Sequence, residues 1–334
     1  MLRFRQYRRL QRNFSSKIDF GYQNVDKNEK ERLGNTPLPT HPLTHSLTHS
    51  PNNSPIHSLT HPQLIDNCHS VREVFSRVAS KYDIMNDVMS LGAHRLWKDE
   101  LVSKLGIELA AKADPTSVPR HLDVAGGTGD IAFRALETVT KHYSQHPIIK
   151  SASNIIIDKE ETIEDESNKT TVVCDINPDM LAVGKSRSLK VLNGNIKNLI
   201  GFVEGNAEKL PFPSDSFDIY TIAFGLRNVT NKNIALDEAY RVLKPGGRIL
   251  IMEFSHVDNV IFKQIYDQYS MNVIPKLGEL IANDHDSYQY LVESIRRFPK
   301  QEELLKMIQS AGFACTNYTN LTLGIVAIHS GFKL

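Results

Sequence analysis

The chain contains few cysteines and no long apolar run. Its three cysteines among 334 residues, Cys68, Cys174 and Cys315, lie far apart and form no CxxC pair. This spacing argues against a disulfide framework or a structural zinc site and is typical of a reducing compartment. No uninterrupted apolar stretch approaches the roughly 20 residues that a membrane-spanning helix needs. We therefore expect no bound metal and no spanning helix.

The chain also lacks a surplus of charge of either sign. Lysine and arginine number 39, aspartate and glutamate number 38, and the formal net charge is +1. A balance this close gives no electrostatic support for a nucleic-acid partner. A hydrophobic content of 40% supports a folded core, and the length suits one large domain with appendages or two small domains.

The first 16 residues differ from the rest in charge. They hold five arginines and no acid, and apolar residues separate the arginines before Ser15 and Ser16. This arginine-rich, acid-free, amphipathic character predicts a mitochondrial transit peptide over residues 1–16. The alternative is a basic arm that binds nucleic acid or a membrane surface.

A segment rich in proline and histidine follows over residues 17–68. The pattern His-Ser-Leu-Thr-His occurs at His45–His49 and again at His57–His61. On a helix, histidines four residues apart could share a metal ion, but the nearby prolines prevent a stable helix. We predict a disordered low-complexity linker here, with the folded domain over residues 69–334.

The block His121–Asp130, HLDVAGGTGD, has the pattern of a strand, a glycine turn and the start of a helix. Gly126, Gly127 and Gly129 let a ligand approach the backbone closely, because they carry no side chain. A turn at a helix start also presents free backbone N–H groups. That arrangement is the nucleotide-binding end of a doubly wound α/β sheet.

The glycine turn alone leaves two cofactors open. The dinucleotide variant GxGxxA is satisfied by Gly127, Gly129 and Ala132. Asp130, however, would repel a diphosphate, whereas Asp123 could accept a hydrogen bond from an ammonium group. S-adenosylmethionine carries a sulfonium and an ammonium group and no phosphate, so it fits this turn better than a dinucleotide does.

The remaining pattern predicts strands that alternate with helices, which is typical of a largely parallel sheet. We predict strands over residues 120–125, 171–176, 200–204, 217–223 and 248–254, and helices from Ser70, over 94–105 with an end at Gly106, and over 233–243. The last two apolar runs, 314–318 and 324–332, are too close for a crossover helix and should pair antiparallel. The acidic segment 151–169 predicts a disordered insertion, and residues 255–301 predict a helical region.

This ending on a parallel sheet resembles the Class I S-adenosylmethionine-dependent methyltransferase fold. That fold is α/β, with a Rossmann-like seven-stranded sheet whose last strand is antiparallel. The glycine turn and the later LKPGG turn match its motifs. The resemblance implies that the turn lies against the cofactor, with Asp123 at the amino group and Asp175 at the ribose. It also implies that Asn206 and Ala207 contact adenine and that Thr128 contacts the methionyl end.

Longer segments resemble the ubiquinone/menaquinone C-methyltransferase family. They are VFSRVASKYDIMNDVMSLGAHRLWK (Val74–Lys98), NAEKLPFPSDSFD (Asn206–Asp218), FGLRNV (Phe224–Val229) and YLVESIRRFPKQEEL (Tyr290–Leu304). The resemblance implies methylation of a ring carbon on a polyprenylated benzoquinol. With the leader, it implies a peripheral position on the matrix side of the mitochondrial inner membrane, among the other proteins of the ubiquinone biosynthetic complex. The acidic insertion departs from the family, as does Ala223, where many members have a serine near the cofactor.

The resemblance implies that Arg227 and Asn228, after the fourth strand, are the catalytic residues on the substrate side. The ring carbon becomes a nucleophile when a quinol oxygen loses its proton, and a protein assists by alignment and by stabilising the phenolate. Arg227 keeps its own proton. We therefore assign it to the quinol oxygen, with a water as a possible proton acceptor, and Asn228 to the second oxygen. The alternative is that Arg227 pairs with a structural acid.

Other side chains are weaker candidates. Tyr82, His94 and Tyr290 are compatible with a site role, but helix caps and structural contacts are the commoner use of such residues. Residues 261–280 suit an apolar trough for the polyprenyl tail and equally an ordinary core face.

Three other functions stay open on the sequence alone. A nicotinamide-dependent dehydrogenase leaves the LRN block at residues 226–228 unexplained. A nucleic-acid amino-methyltransferase usually needs an Asn/Asp-Pro-Pro-aromatic block where this chain has FGLR at residues 224–227. A catalytically idle scaffold of the biosynthetic complex would retain the cofactor site, and only a measurement of turnover separates it from an enzyme.

Overall fold

The computed structural model describes residues 92–154, 166–257 and 292–334, together with the isolated positions 90, 264 and 268. All the elements below belong to the compact unit Leu59–Leu334. The predicted transit peptide, the linker and the helix from Ser70 lie outside the described residues, as does most of the helical region 255–301. These four features remain predictions.

The sheet has seven strands in the order β3-β2-β1-β4-β5-β7-β6. The strands are β1 (His121–Val124), β2 (Thr171–Asp175), β3 (Ile200–Glu204), β4 (Phe217–Ala223), β5 (Leu243–Phe254), β6 (Ala314–Leu321) and β7 (Val326–Phe332). Strands β1 to β5 run parallel, and β7 lies antiparallel between β5 and β6. The predicted α/β class, the seven-stranded sheet and its antiparallel last strand are confirmed.

Helices cover both faces of this sheet. They are α1 (Ala93–Ser103), α2 (Ile107–Ala113), α3 (Asp130–His142), α4 (Pro147–Asn154), α5 (Pro178–Val191), α6 (Lys232–Val242) and α7 (Gln301–Ser310). One core cluster joins α1 and α3 to the sheet through Leu101, Leu136 and Val173. A second cluster joins α6 to the opposite face through Leu236 and Tyr220. Because both faces are covered, the central strands are largely buried, and a polar side chain within them is expected to have a specific partner.

Several predicted boundaries are wrong, among them the end of the run 314–318, which continues as β6 to Leu321. The helix predicted over residues 94–105 is α1, which ends at Ser103, and Gly106 starts a further helix, α2. Gly106 has a φ of 79°, a conformation that glycine adopts readily before a helix as well as after one. Strand β5 begins at Leu243 rather than at residue 248, because Leu243 already pairs with Phe217. The preceding helix therefore ends at Val242.

The predicted disordered insertion over residues 151–169 is too long at both ends. Helix α4 continues to Asn154, and a short 3-10 helix covers Glu166–Asn168. The Glu166 carboxylate accepts a hydrogen bond from the Phe202 N–H at 2.9 Å and pairs with Lys185 at 3.1 Å. These contacts tie the end of the acidic segment to β3 and α5. Residues 155–165 lie outside the described part of the chain.

Candidate active site

The glycine turn leaves the carboxyl end of β1 in an unusual backbone conformation. Ala125 has a φ of 51°, Gly127 of 54° and Gly129 of 83°. A non-glycine residue at positive φ is uncommon and is typical of functional turns. A Cβ on Gly126 would lie 2.8 Å from Asp123 Oδ2, so only glycine fits there without a shift. The turn therefore keeps its backbone close to β1.

Asp175, at the end of β2, fixes this turn from the neighbouring strand. Its Oδ2 accepts a hydrogen bond from the Gly127 N–H and its Oδ1 from the Asn177 N–H, both at 2.9 Å. Its backbone carbonyl accepts from the Gly205 N–H at 3.0 Å. Burial raises the pKa of the Asp175 carboxyl, against the lowering by these backbone donors. Carboxylate oxygens accept more than one hydrogen bond each, so Asp175 can also bind ribose hydroxyls.

Asn206 and Ala207 lie just beyond β3, beside Asp175. The Asn206 side-chain oxygen accepts from the Glu208 N–H at 2.9 Å, and its carbonyl accepts from the Lys209 N–H at 2.9 Å. Ala207 is buried. The turns after β1, β2 and β3 thus meet at one edge of the sheet, which is where ligands bind in open α/β sheets.

Asp130 lies in a cluster of cations. Its carboxylate pairs with Lys98 at 2.7 Å, with Arg134 at 3.2 Å and with Arg187 at 3.9 Å. Burial alone would raise the pKa of Asp130, but Lys98 and the two arginines lower it below its usual value. Arg187 also donates to the buried Thr128 hydroxyl at 3.3 Å. The predicted repulsion between Asp130 and a diphosphate therefore does not discriminate between cofactors, because the carboxylate is neutralised within the protein.

Asp123 lies beneath the glycine turn and is only 1% exposed. Its Oδ1 accepts a hydrogen bond from the Thr221 hydroxyl at 2.7 Å. Burial raises the pKa of Asp123 to about 7, against the lowering by Thr221 and by the backbone of Ala132. The predicted contact between Asp123 and the cofactor's amino group stays a prediction, and it has to be made through or beside Gly126.

Arg227 forms a buried ion pair with Glu253, the penultimate residue of β5. The two side chains are 5% and 2% exposed, and Arg227 Nη1 lies 2.7 Å from Glu253 Oε1. The Arg227 N–H donates to Glu253 Oε2 at 3.2 Å, and Nη1 also donates to the Phe224 carbonyl. The Nε of Arg227 is buried and has no partner among the described atoms. The alternative in which Arg227 pairs with a structural acid is therefore present, and one donor of the guanidinium remains uncommitted.

An aromatic cluster surrounds this ion pair. The ring centroids of Phe224 and Phe254 are 4.8 Å apart, and Trp97 of α1 lies 6.3 Å and 6.2 Å from them. Phe224 has a φ of 56°, and a Cβ on the next residue, Gly225, would collide with the Ala125 side chain. The ends of β1 and β4 are therefore in close contact, and the Arg227 turn lies next to the glycine turn.

For the other candidate site residues, the structure gives backbone contacts or no described position. Asn228 ends the 3-10 turn Leu226–Asn228, and its N–H donates to the Gly225 carbonyl at 3.1 Å. His94 is buried in α1, where its backbone N–H donates to the Ser90 hydroxyl at 3.1 Å. The remaining candidates, Tyr82, Tyr290 and the trough over 261–280, lie outside the described residues except for positions 264 and 268.

Sequence reasoning missed Glu253, Thr221 and His121. Each is a buried polar residue with at least one apolar neighbour in its strand. A buried polar side chain usually has a specific partner, so this break in the apolar pattern is the signal that could have identified all three.

No group of three or more His, Cys, Asp or Glu side chains among the described residues is arranged to hold a metal ion. None of the helices described is long and apolar enough to cross a membrane.

Comparison with known proteins gives a match over most of the chain. The ubiE/COQ5 methyltransferase family matches residues 63–333. A relative from Oryza sativa subsp. japonica, named mitochondrial 2-methoxy-6-polyprenyl-1,4-benzoquinol methylase, is 53% identical over 270 residues, covering 80% of this chain and 85% of its own. The Homo sapiens protein of the same name is 54% identical over 271 residues, covering 79% and 80%. A crystal structure of a Thermotoga maritima S-adenosylmethionine-dependent methyltransferase covers 78% of this chain and 99% of its own, with 17% identity and a TM-score of 0.44.

Proposed function

Because this chain belongs to the ubiE/COQ5 methyltransferase family, whose cofactor is S-adenosylmethionine, we propose that it methylates a ring carbon of a 2-methoxy-6-polyprenyl-1,4-benzoquinol. The name shared by relatives more than 50% identical supports this substrate. The observation that carries the proposal is the contact between the glycine turn and the Arg227 turn, through Gly225 and Ala125. It brings the candidate cofactor site and the candidate substrate site to one edge of the sheet.

The cofactor site that we propose runs across the ends of three strands. Asp175 would bind the ribose hydroxyls, and Asn206 with Ala207 would line the adenine pocket. The glycine turn and Thr128 would lie against the methionyl part, with the charge of Asp123 beneath the ammonium group. When bound, the cofactor supplies an electrophilic methyl group on its sulfonium. The chain itself aligns this group with the substrate and excludes water.

Arg227 and Asn228 would act on the quinol. The ring carbon attacks only when an oxygen of the quinol carries negative charge. A guanidinium has donors and no acceptor, so a water would take the quinol proton while Arg227 stabilises the oxygen left behind. The Nε donor of Arg227, which has no partner among the described atoms, is suited to that oxygen. Glu253 holds Nη1 of the guanidinium and the backbone N–H of Arg227 in place. Asn228 would hold the second quinol oxygen.

The location follows from the substrate and the leader. We infer that residues 1–16 direct the chain to mitochondria, as the names of its relatives suggest. A polyprenyl tail is apolar enough to keep the substrate in a bilayer. The protein would therefore work at the matrix side of the inner membrane as a peripheral protein, beside other proteins of the ubiquinone biosynthetic complex.

The proposal is tested by methyl transfer from labelled cofactor. The full chain is mixed with methyl-labelled S-adenosylmethionine and a short-tailed quinol that lacks the ring methyl group, and label is counted in the extracted quinol. We expect transfer to this quinol and none to its dimethyl ether, which cannot form a phenolate. Cofactor binding without transfer would show an idle scaffold, and absence of cofactor binding would contradict the cofactor site itself.

A further inference from the structure

Three polar side chains form a continuous, buried hydrogen-bond network in the middle of the sheet, here called the polar network. His121 and Asp123 are two residues apart on β1 and point to the same face, as alternate residues of a strand do. Thr221 of β4 is paired directly with Asp123. The exposed fractions of His121, Asp123 and Thr221 are 0%, 1% and 0%. Their neighbours within both strands are apolar, so the polar network lies in a buried, apolar part of the molecule.

The hydrogen bonds of the polar network have a defined direction when Asp123 is ionised. The Thr221 hydroxyl donates to Asp123 Oδ1 at 2.7 Å, and its oxygen lies 2.8 Å from His121 Nε2. Because the hydroxyl proton is directed to Asp123, His121 has to donate to the hydroxyl oxygen, which requires a proton on Nε2. Burial lowers the pKa of His121 to about 3, so its imidazole is neutral. The polar network thus runs from His121 through Thr221 to the carboxylate of Asp123.

Asp123 is the member of the polar network that contacts the glycine turn. Its Oδ2 lies beneath Gly126, where a Cβ would approach it to 2.8 Å. The acidic groups around it, Asp175 of β2 and Asp130 of α3, both disfavour a further negative charge at this point. Cys174 and Tyr220 also lie near Asp123, and burial raises the pKa of each. Thr221 is the side chain whose hydrogen bond favours the ionised form of Asp123.

We infer that Thr221, supported by His121, is a positioning residue that orients Asp123 and keeps it charged beneath the turn that binds the cofactor's ammonium group. The inference rests on the proposed cofactor site. It adds two residues that do not touch the cofactor themselves. A cation in the ligand and a carboxylate beneath the turn attract each other most strongly in such a buried, low-dielectric place. The hydroxyl of Thr221 therefore affects cofactor affinity through the charge of Asp123.

The sheet contains a matched control for the test. Thr171 of β2 is also fully buried and is paired with His121, but its hydroxyl has no partner among the described atoms. Thr171→Val and Thr221→Val remove the same hydroxyl group from β2 and β4, the two strands that flank β1. Only the second removes a hydrogen bond to Asp123.

The experiment measures S-adenosylmethionine affinity of the full chain by titration calorimetry from about pH 6 to about pH 9. A hydrogen bond to a charged group contributes about 1.5 kcal/mol or more, which is about one pKa unit of Asp123. Thr221→Val should therefore bind about tenfold more weakly at about pH 6, and the loss should shrink as the pH rises and Asp123 ionises. Titration of the cofactor's own amine is common to all variants and cancels in their ratio. Thr171→Val should bind like the wild type, and Thr221→Ser should restore affinity.

Three results would overturn the inference. One is equal affinity of Thr221→Val and Thr171→Val at every pH. Another is a loss in Thr221→Val that is the same at every pH, which would indicate packing damage. The third is failure of Thr221→Ser to restore affinity. If Thr221→Val does not fold, His121→Leu replaces it and should shift the pH dependence in the same direction. A wild-type chain that does not bind the cofactor would instead contradict the proposed function.

Discussion

At the scale of single residues, Arg227 forms a buried ion pair and is also the proposed donor to the quinol oxygen, and one substitution cannot separate the two. Its ion pair with Glu253 is buried, with side chains 5% and 2% exposed. Removing one partner of a buried pair leaves an uncompensated charge and typically costs about 3–5 kcal/mol. Replacing both partners with apolar residues of similar volume is often neutral. A comparison of single and double variants therefore separates stability from catalysis.

We predict that Arg227→Met alone lowers the free energy of unfolding by about 3–5 kcal/mol and also lowers methyl transfer. Arg227→Met with Glu253→Met should recover most of that stability, because no charge is left unpaired. Transfer should stay about 10²–10³-fold below the wild type, because the donor to the quinol oxygen is absent. Urea unfolding and single-turnover transfer at saturating cofactor measure the two effects. If transfer returns together with stability, Arg227 is a structural residue.

The residues of the proposed cofactor and substrate sites can be predicted from the sequence to different degrees. Asp175 and the glycine turn were predicted because strand ends and glycines are visible locally, and the structure places them in contact. Thr221 and Glu253 were not, because their partners Asp123 and Arg227 belong to other strands or turns and depend on the register between strands. The expected repulsion between Asp130 and a diphosphate is wrong for the same reason, since Lys98, which pairs with Asp130, comes from a separate helix.

At the scale of elements, α1 is attached to the start of α3 by an ion pair that is mostly buried. Lys98 and Asp130 lie 2.7 Å apart, with side chains 8% and 19% exposed. Trp97 of the same helix donates from Nε1 to the Thr322 hydroxyl at 2.8 Å, next to β7. Helix α1 therefore connects the helix that follows the glycine turn with the segment between β6 and β7.

We predict that Lys98→Met lowers the free energy of unfolding at pH 7 by about 1.5–3 kcal/mol, the contribution of a hydrogen bond to a charged group. Lys112→Met should change it by less than about 1 kcal/mol, because the Lys112–Glu108 pair is exposed. The pKa of Asp130 is lowered in the folded state, so its contribution is present at neutral pH and is lost as the pH falls below the ordinary value of 3.8. The difference between Lys98→Met and the wild type should therefore narrow in acid. Equal effects of both variants at pH 7 would contradict this account.

Elements were predicted better than their boundaries. The β3 and β4 ranges were predicted correctly, because each is a short apolar run between turn residues. The start of β5 was not, since Leu243 joins the strand only through its pairing with Phe217. Helix α2 is not predicted because the sequence shows Gly106 only as the end of the preceding helix, whereas Gly106 also caps the start of α2. The ends of the acidic insertion depend on tertiary contacts of Glu166, which no local pattern indicates.

At the scale of the whole molecule, the family match covers residues 63–333 and includes the complete sheet. The fold and the cofactor class follow from that match. The linker, the leader and most of the helical region before α7 remain predictions, because they lie outside the described residues. The central claim is that one edge of this sheet binds S-adenosylmethionine and a benzoquinol together, so that a methyl group passes to a ring carbon.

The most direct measurement of that claim is the position of the transferred methyl group. The full chain is incubated with S-adenosylmethionine carrying a ¹³C methyl and the short-tailed quinol, and the product is examined by carbon NMR. We predict a single labelled methyl group bonded to a ring carbon. Label on a quinol oxygen, or no labelled product although the cofactor binds, would contradict the account.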